Sequence, residues 1–174
     1  PARDFLTALG PGEADVVYAD PPYTQDHYSR FYHVLETLTE GRAPALALDA
    51  RGRLLRGRYP ELGRRFQSGF CSQEEVLGAF RETCALAAER GAALVWSYSS
   101  TNGLLIERMG GDMARFQALL AERYRSVRIE AHALHHSGAG DKNHAAQELI
   151  AVCTGPRALP SRARRALAAQ TPRV

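Results

Sequence analysis

Ala14-Asp15-Val16-Val17-Tyr18-Ala19-Asp20-Pro21-Pro22-Tyr23 is the stretch on which the reading of the fold turns. Its apolar run is short, and two prolines stop it at once. This predicts a buried strand over 14–20 that ends at a ligand-facing loop. In an open α/β sheet the carboxyl end of a strand is where ligands bind.

Further elements extend outward from that strand. Phe31, Val34, Leu35 and Leu38 recur at helical spacing, which predicts a helix over 30–38 that stops near Gly41. Residues 41–70 show no period and read as a long loop. Ser72 followed by Glu75 forms a capping-box pattern, and Val76, Leu77, Phe80 and Cys84 trace one face of a helix that stops at Gly91. Ala92–Tyr98 reads as a second buried strand. Asp112 is placed to cap another helix, with Met113, Phe116, Leu120 and Tyr124 as its stripe.

Residues 126–134 alternate, with Val127, Ile129, Ala131 and Ala133 on one side, and 147–153 form a fourth strand. Helix–strand alternation followed by a hairpin implies an α/β fold, its sheet mostly parallel with one antiparallel strand.

The tetrapeptide Asp20-Pro21-Pro22-Tyr23 also has a chemical reading. The prolines fix the backbone and remove two N–H donors, leaving carbonyl acceptors with little competition. Asp20 adds a carboxylate acceptor, and Tyr23 adds a flat face. Together they suit a planar aromatic that bears an amino group, stacked on Tyr23 and donating to Asp20 and to the Pro21 carbonyl. Drawing both amine hydrogens toward acceptors favours a pyramidal nitrogen with a lone pair free to attack. That arrangement stabilises the transition state more than the planar ground state. Read more plainly, Asp-Pro-Pro is a turn and Tyr23 packs beside it.

VVYADPPYTQDHYSRFYHVLETL (16–38) resembles the catalytic motif, with its flanks, of Dam-like adenine-specific DNA methyltransferases. VWSYSS (95–100) is similar to that family's next strand, and HSGAGDKNHAAQELIAV (136–152) to its closing hairpin. The resemblance implies a Rossmann-like, S-adenosylmethionine-dependent methyltransferase fold. It also implies methyl transfer to N6 of a flipped adenine in DNA, in a bacterial modification system. Asp20, Pro21 and Tyr23 would hold the adenine, Pro22 would shape the turn, and Asp4 and Phe5 would touch the cofactor.

The family's Phe-x-Gly-x-Gly loop, which holds the methionine end of the cofactor, has no counterpart here. Gly138-Ala139-Gly140 lies between two strands, which is the wrong context. The target-recognition segment is also missing, and Pro1 stands where an initiator Met would be. The expectation is therefore a catalytic part over 1–155, the second half of such a domain, followed by a basic, loosely ordered tail over 156–174. The first half would belong to the same enzyme, supplied by another chain or by a longer form of this one. Two other readings stay open: an RNA adenine-N6 methyltransferase, and a non-catalytic nucleic-acid-binding remnant.

Charge placement fits a nucleic-acid partner. The 174 residues carry 22 basic and 19 acidic side chains, a net +3. Arg42–Arg65 holds seven arginines against Asp49 and Glu61, a local +5, and five more follow Glu148 with no acid, another +5. The remainder is therefore 10 basic against 17 acidic, or −7, so two basic segments sit on an acidic body. Read blandly, both are solvated loops. Tyr28 and Arg30 are the expected stacking and phosphate contacts, with Arg56, Arg58, Arg64, Arg65 and Lys142 on the backbone.

Other chemistries fit less well. Histidines 132, 135, 136 and 144 match no common zinc spacing, so no metal site is expected. Cys71, Cys84 and Cys153 are too sparse for a disulfide scaffold, suit a reducing cytoplasm, and read as cap and core residues. No apolar run approaches the roughly 20 residues of a membrane helix.

Overall fold

Strands β1 (Val16–Ala19), β2 (Ala93–Ser99), β3 (Tyr124–His135) and β4 (Ala145–Pro156) form one sheet in the order β1-β2-β4-β3. The computed structural model describes residues 2–25, 34–35, 37–41, 45–55, 61, 68–101, 103–135 and 145–157. β1 pairs in parallel with β2, while β4 is antiparallel to both β2 and β3. Three strands thus share one direction and β4 opposes them, the mixed α/β sheet expected from the element order.

Alternation along the strands sorts the side chains by face. Leu94, Trp96 and Tyr98 of β2 and Leu149, Ala151 and Cys153 of β4 turn to one side and are buried. Helix α2 (Val76–Glu89) packs there through Phe80, whose ring stacks on Trp96 at 4.3 Å and 25°. Tyr98 meets the same ring edge-on at 5.0 Å, so three aromatics brace the centre of the sheet.

The second face carries Ser97, Ser99 and Glu148. In β3, Val127 and Ile129 pack on the core as expected, whereas Ala131 and Ala133 are exposed.

Helix boundaries follow their local chemistry. The Ser72 hydroxyl accepts from the Glu75 amide at 3.4 Å, half of the expected capping box, and α2 begins one residue later. Gly91, at φ 80°, provides the left-handed turn after α2. Helix α4 (Met113–Ala121) starts at Asp112, whose Oδ1 accepts from the amides of Ala114 and Arg115 at 2.9 and 3.3 Å. Its stripe of Phe116, Leu120 and the following Tyr124 is fully buried.

Two expectations are corrected. Among the described residues β1 is an edge strand with one face covered: Val17 and Ala19 reach the core, but Val16 and Tyr18, on the other face, are 56% and 64% exposed. The helical pattern over 30–38 is seen at Val34–Leu35 and 37–40, yet Val34, Leu35 and Leu38 are exposed rather than core. No described element packs over that stripe.

Within the expected loop, Asp49 builds a tight turn. Its carboxylate accepts from the amides of Arg51 and Arg53 and from the Arg53 guanidinium at 3.0 Å, and Leu48 bridges to Leu54. The three cysteines are buried and form no disulfide with one another, and burial pushes the Cys84 and Cys153 thiols up to about 12. Such thiols are core, not nucleophiles. No helix among the described residues is long and apolar enough to cross a membrane.

Candidate active site

The Asp20–Tyr23 turn leaves β1 at its carboxyl end, beside the last residues of β2. Pro21 is buried, which anchors the turn, while Asp20 and Tyr23 are exposed. An anchored Pro21 between exposed flanks leaves the Asp20 carboxylate and the Tyr23 ring open to solvent.

The short helix α3 (Leu104–Arg108) holds this turn from behind. Its first amide, on Leu104, donates to the Tyr23 carbonyl at 2.9 Å, and the next, on Leu105, donates to the Tyr98 hydroxyl at 3.1 Å. Two amides that a helix start leaves without intrahelical partners are thereby satisfied by the site. The Tyr98 ring meets Tyr23 edge-on, with centroids 6.4 Å apart and planes at 85°.

Burial pushes the Tyr98 hydroxyl up to about 12, so it stays protonated. Gly103 makes the close approach possible: a Cβ there would lie 2.4 Å from the Ser99 carbonyl and from the Tyr98 ring.

Electrostatics single out Asp20. Its carboxyl is partly desolvated by neighbouring atoms, and the Glu148 carboxylate adds a like charge; both raise its pKa above the ordinary 3.8. Glu148 arrives from β4, opposite Ser99, and its carboxylate accepts a hydrogen bond from the buried Ser97 hydroxyl of β2. Ser97 follows Trp96, the partner of Ala19, so it stands beside Asp20 in register.

Asp4 and Phe5 lie on α1 (Ala2–Ala8), which is docked through the buried Leu6. Arg90, just before β2, donates to the carbonyls of Leu6 and Thr7, and Arg3 pairs with Glu82 at 3.0 Å. The start of α1 thus lies beside the middle of α2 and its end beside the end of α2. Phe5 is 66% exposed. An exposed ring next to a carboxylate has the chemistry to take a purine and the hydroxyls of its ribose.

Tyr28, Arg30, Arg56, Arg58, Arg64, Arg65 and Lys142 lie outside the described residues, as do the Gly138–Gly140 turn and 158–174. No group of three potential metal ligands occurs among the described residues. Of the four histidines weighed as metal ligands, His132 sits 3.5 Å from Glu130 on the exposed strand face. Glu148, Ser97, Gly103 and α3 are the parts that sequence reasoning missed.

Comparison with known proteins bears on this geometry. Residues 3–54 match the family model of D12 class N6 adenine-specific DNA methyltransferases. The matched span is under a third of the chain and includes α1, β1 and the Asp20–Tyr23 turn. No curated protein and no solved structure matches the chain.

Proposed function

We propose that this chain carries the substrate-amine site of an S-adenosylmethionine-dependent adenine-N6 DNA methyltransferase with a Rossmann-like sheet. One observation carries the reading: Asp20-Pro21-Pro22-Tyr23 stands at the carboxyl end of β1, inside the matched span, with the Asp20 and Tyr23 side chains exposed. The outer edge of β1, which pairs with no other described strand, is where further strands of such a sheet would add.

In this reading the target adenine leaves the duplex, at a cost of a few kcal/mol, and stacks on Tyr23. Asp20 and the Pro21 carbonyl accept the two N6 hydrogens and aim the nitrogen lone pair. Tyr98 holds the Tyr23 ring at a fixed angle, so the base is presented in one orientation. Asp4 and Phe5 would hold the ribose and adenine of S-adenosylmethionine, which supplies the electrophilic methyl group when bound. The basic segments would contact phosphates and add salt-dependent affinity without sequence preference.

The test is nucleoside analysis of duplex DNA and of structured RNA after incubation with isotope-labelled S-adenosylmethionine and the protein as its gene encodes it. N6-methyladenine carrying the label in DNA is the expected product. Label confined to RNA, or on cytosine, would contradict the reading.

A further inference from the structure

The acceptor chemistry at Asp20 raises a question that the turn alone does not answer, namely where the proton goes. An exocyclic amine that gains a carbon substituent must lose one N–H proton to return to neutrality. The N–H pair stays on nitrogen, and the proton needs a base close by. An ordinary aspartate binds protons weakly and is a poor base for that step.

The sheet register brings a second carboxylate to this point. Ala19 is paired with Trp96, which sets Ser97 beside Asp20 at the strand ends. Ser97 is 3% exposed, and its hydroxyl donates to Oε1 of Glu148. Glu148 is opposite Ser99 in the antiparallel β2–β4 pair, one register step farther along β2. β4 is further tied at this end by the Ser100 amide, which donates to the Gln147 carbonyl at 2.9 Å. The exit of β1, the end of β2 and the start of β4 thus carry one aspartate, one serine and one glutamate to the same end of the sheet, none of it visible as a local motif.

We propose that Glu148, held by Ser97, is a positioning residue that prepares the Asp20 carboxylate to take the proton shed by N6. The inference rests on the methyltransferase reading above. Glu148 acts through Asp20 and does not touch the base. Its negative charge makes a proton on Asp20 more welcome, and the Ser97 hydrogen bond fixes the charge in place. In the transfer itself the N–H bond breaks with its electron pair left on nitrogen, and an O–H bond forms on Asp20. Solvent then takes the proton, because Asp20 is exposed.

Burial and, after it, the Glu148 carboxylate of β4 raise the proton affinity of Asp20. Glu107 of α3 acts on Tyr98 instead, and Tyr23 and Tyr98 are the remaining titratable side chains of the turn and its support.

The experiment has two arms, each on Glu148→Gln, Glu148→Asp and Ser97→Ala. Gln keeps an acceptor for Ser97, so the fold is expected to survive. In the first arm, the Asp20 carboxyl carbon is titrated by NMR. Glu148→Gln is expected to move its midpoint down toward the ordinary aspartate value, and Ser97→Ala to move it partway.

In the second arm, methyl transfer is followed against pH. Asp20 must be ionised to act as a base, so activity rises with pH through its titration. Glu148→Gln is expected to shift that limb to lower pH and to cut the plateau roughly threefold to tenfold, as a weaker base does, with Glu148→Asp rescuing part of it. An Asp20 midpoint and a rate profile both unchanged in Glu148→Gln would overturn the proposal while leaving the methyltransferase reading intact. An absence of transfer by the unsubstituted protein would instead remove the reading, and the proton role with it.

Discussion

The amide of Leu104 donates to the carbonyl of Tyr23 at 2.9 Å, so the exit of the Asp20–Tyr23 turn is tied to the start of a helix that follows a different strand. Tyr98 is the second tie, through its ring to Tyr23 and through its hydroxyl to the Leu105 amide. The turn therefore owes its shape to β2 and α3 as much as to its own prolines.

Removing the hydroxyl tests the second tie. Tyr98→Phe leaves the buried Leu105 amide without its acceptor, which should cost about 1–3 kcal/mol of stability in denaturant unfolding. Because the ring remains, the loss should come with only a modest effect on base binding.

Gly103→Ala should be more damaging. Its Cβ would meet the Ser99 carbonyl, backbone that cannot swing away as a side chain can, and the Tyr98 ring. Moving α3 to relieve that clash breaks the Leu104–Tyr23 bond. A loss of about 2 kcal/mol or more is expected, in the range of overpacked cores, together with weakened binding of single-stranded adenine-containing DNA.

Asp20 sets function against stability. A carboxyl whose folded-state pKa is raised gains from protonation at low pH and is penalised once pH climbs through the folded value. Asp20→Asn should therefore raise Tm at neutral pH. The difference from the parent protein should shrink as pH falls through the raised folded value and be gone below about 4. Thermal melts from pH 3 to pH 8 measure this, and an equal gain at every pH would contradict it.

Phe5→Ala separates binding from folding. The ring is largely exposed, so Tm should hardly change. Affinity for S-adenosylmethionine, measured by calorimetry on the protein as its gene encodes it, should fall by roughly 1 kcal/mol or more, the worth of one stacked base.

Much of the scaffold was legible because it is local. The run from Ala92 to Tyr98 is β-rich and bounded by Gly91, and Asp112 announces its helix by chemistry that acts over three residues. What escaped was either short or non-local. α3 has five residues, too few for a helical period to declare itself. Glu148 looks like any polar residue on an alternating strand until the pairing with β2 sets it beside Ser97.

β1 reads as buried from its composition, but burial depends on what packs on each face, and among the described residues one face of β1 is open. The same holds for Val34, Leu35 and Leu38: periodicity predicted the helix, not what would cover it.

Asp20 is the residue on which the account stands. The most direct measurement is transfer of labelled methyl groups to adenine in duplex DNA by the protein as its gene encodes it, beside the Asp20→Ala variant, with DNA binding followed in parallel. Loss of transfer in Asp20→Ala, with DNA affinity within about twofold of the parent, is the predicted result, since phosphate contacts carry most of that affinity. Near-normal transfer by Asp20→Ala would contradict it.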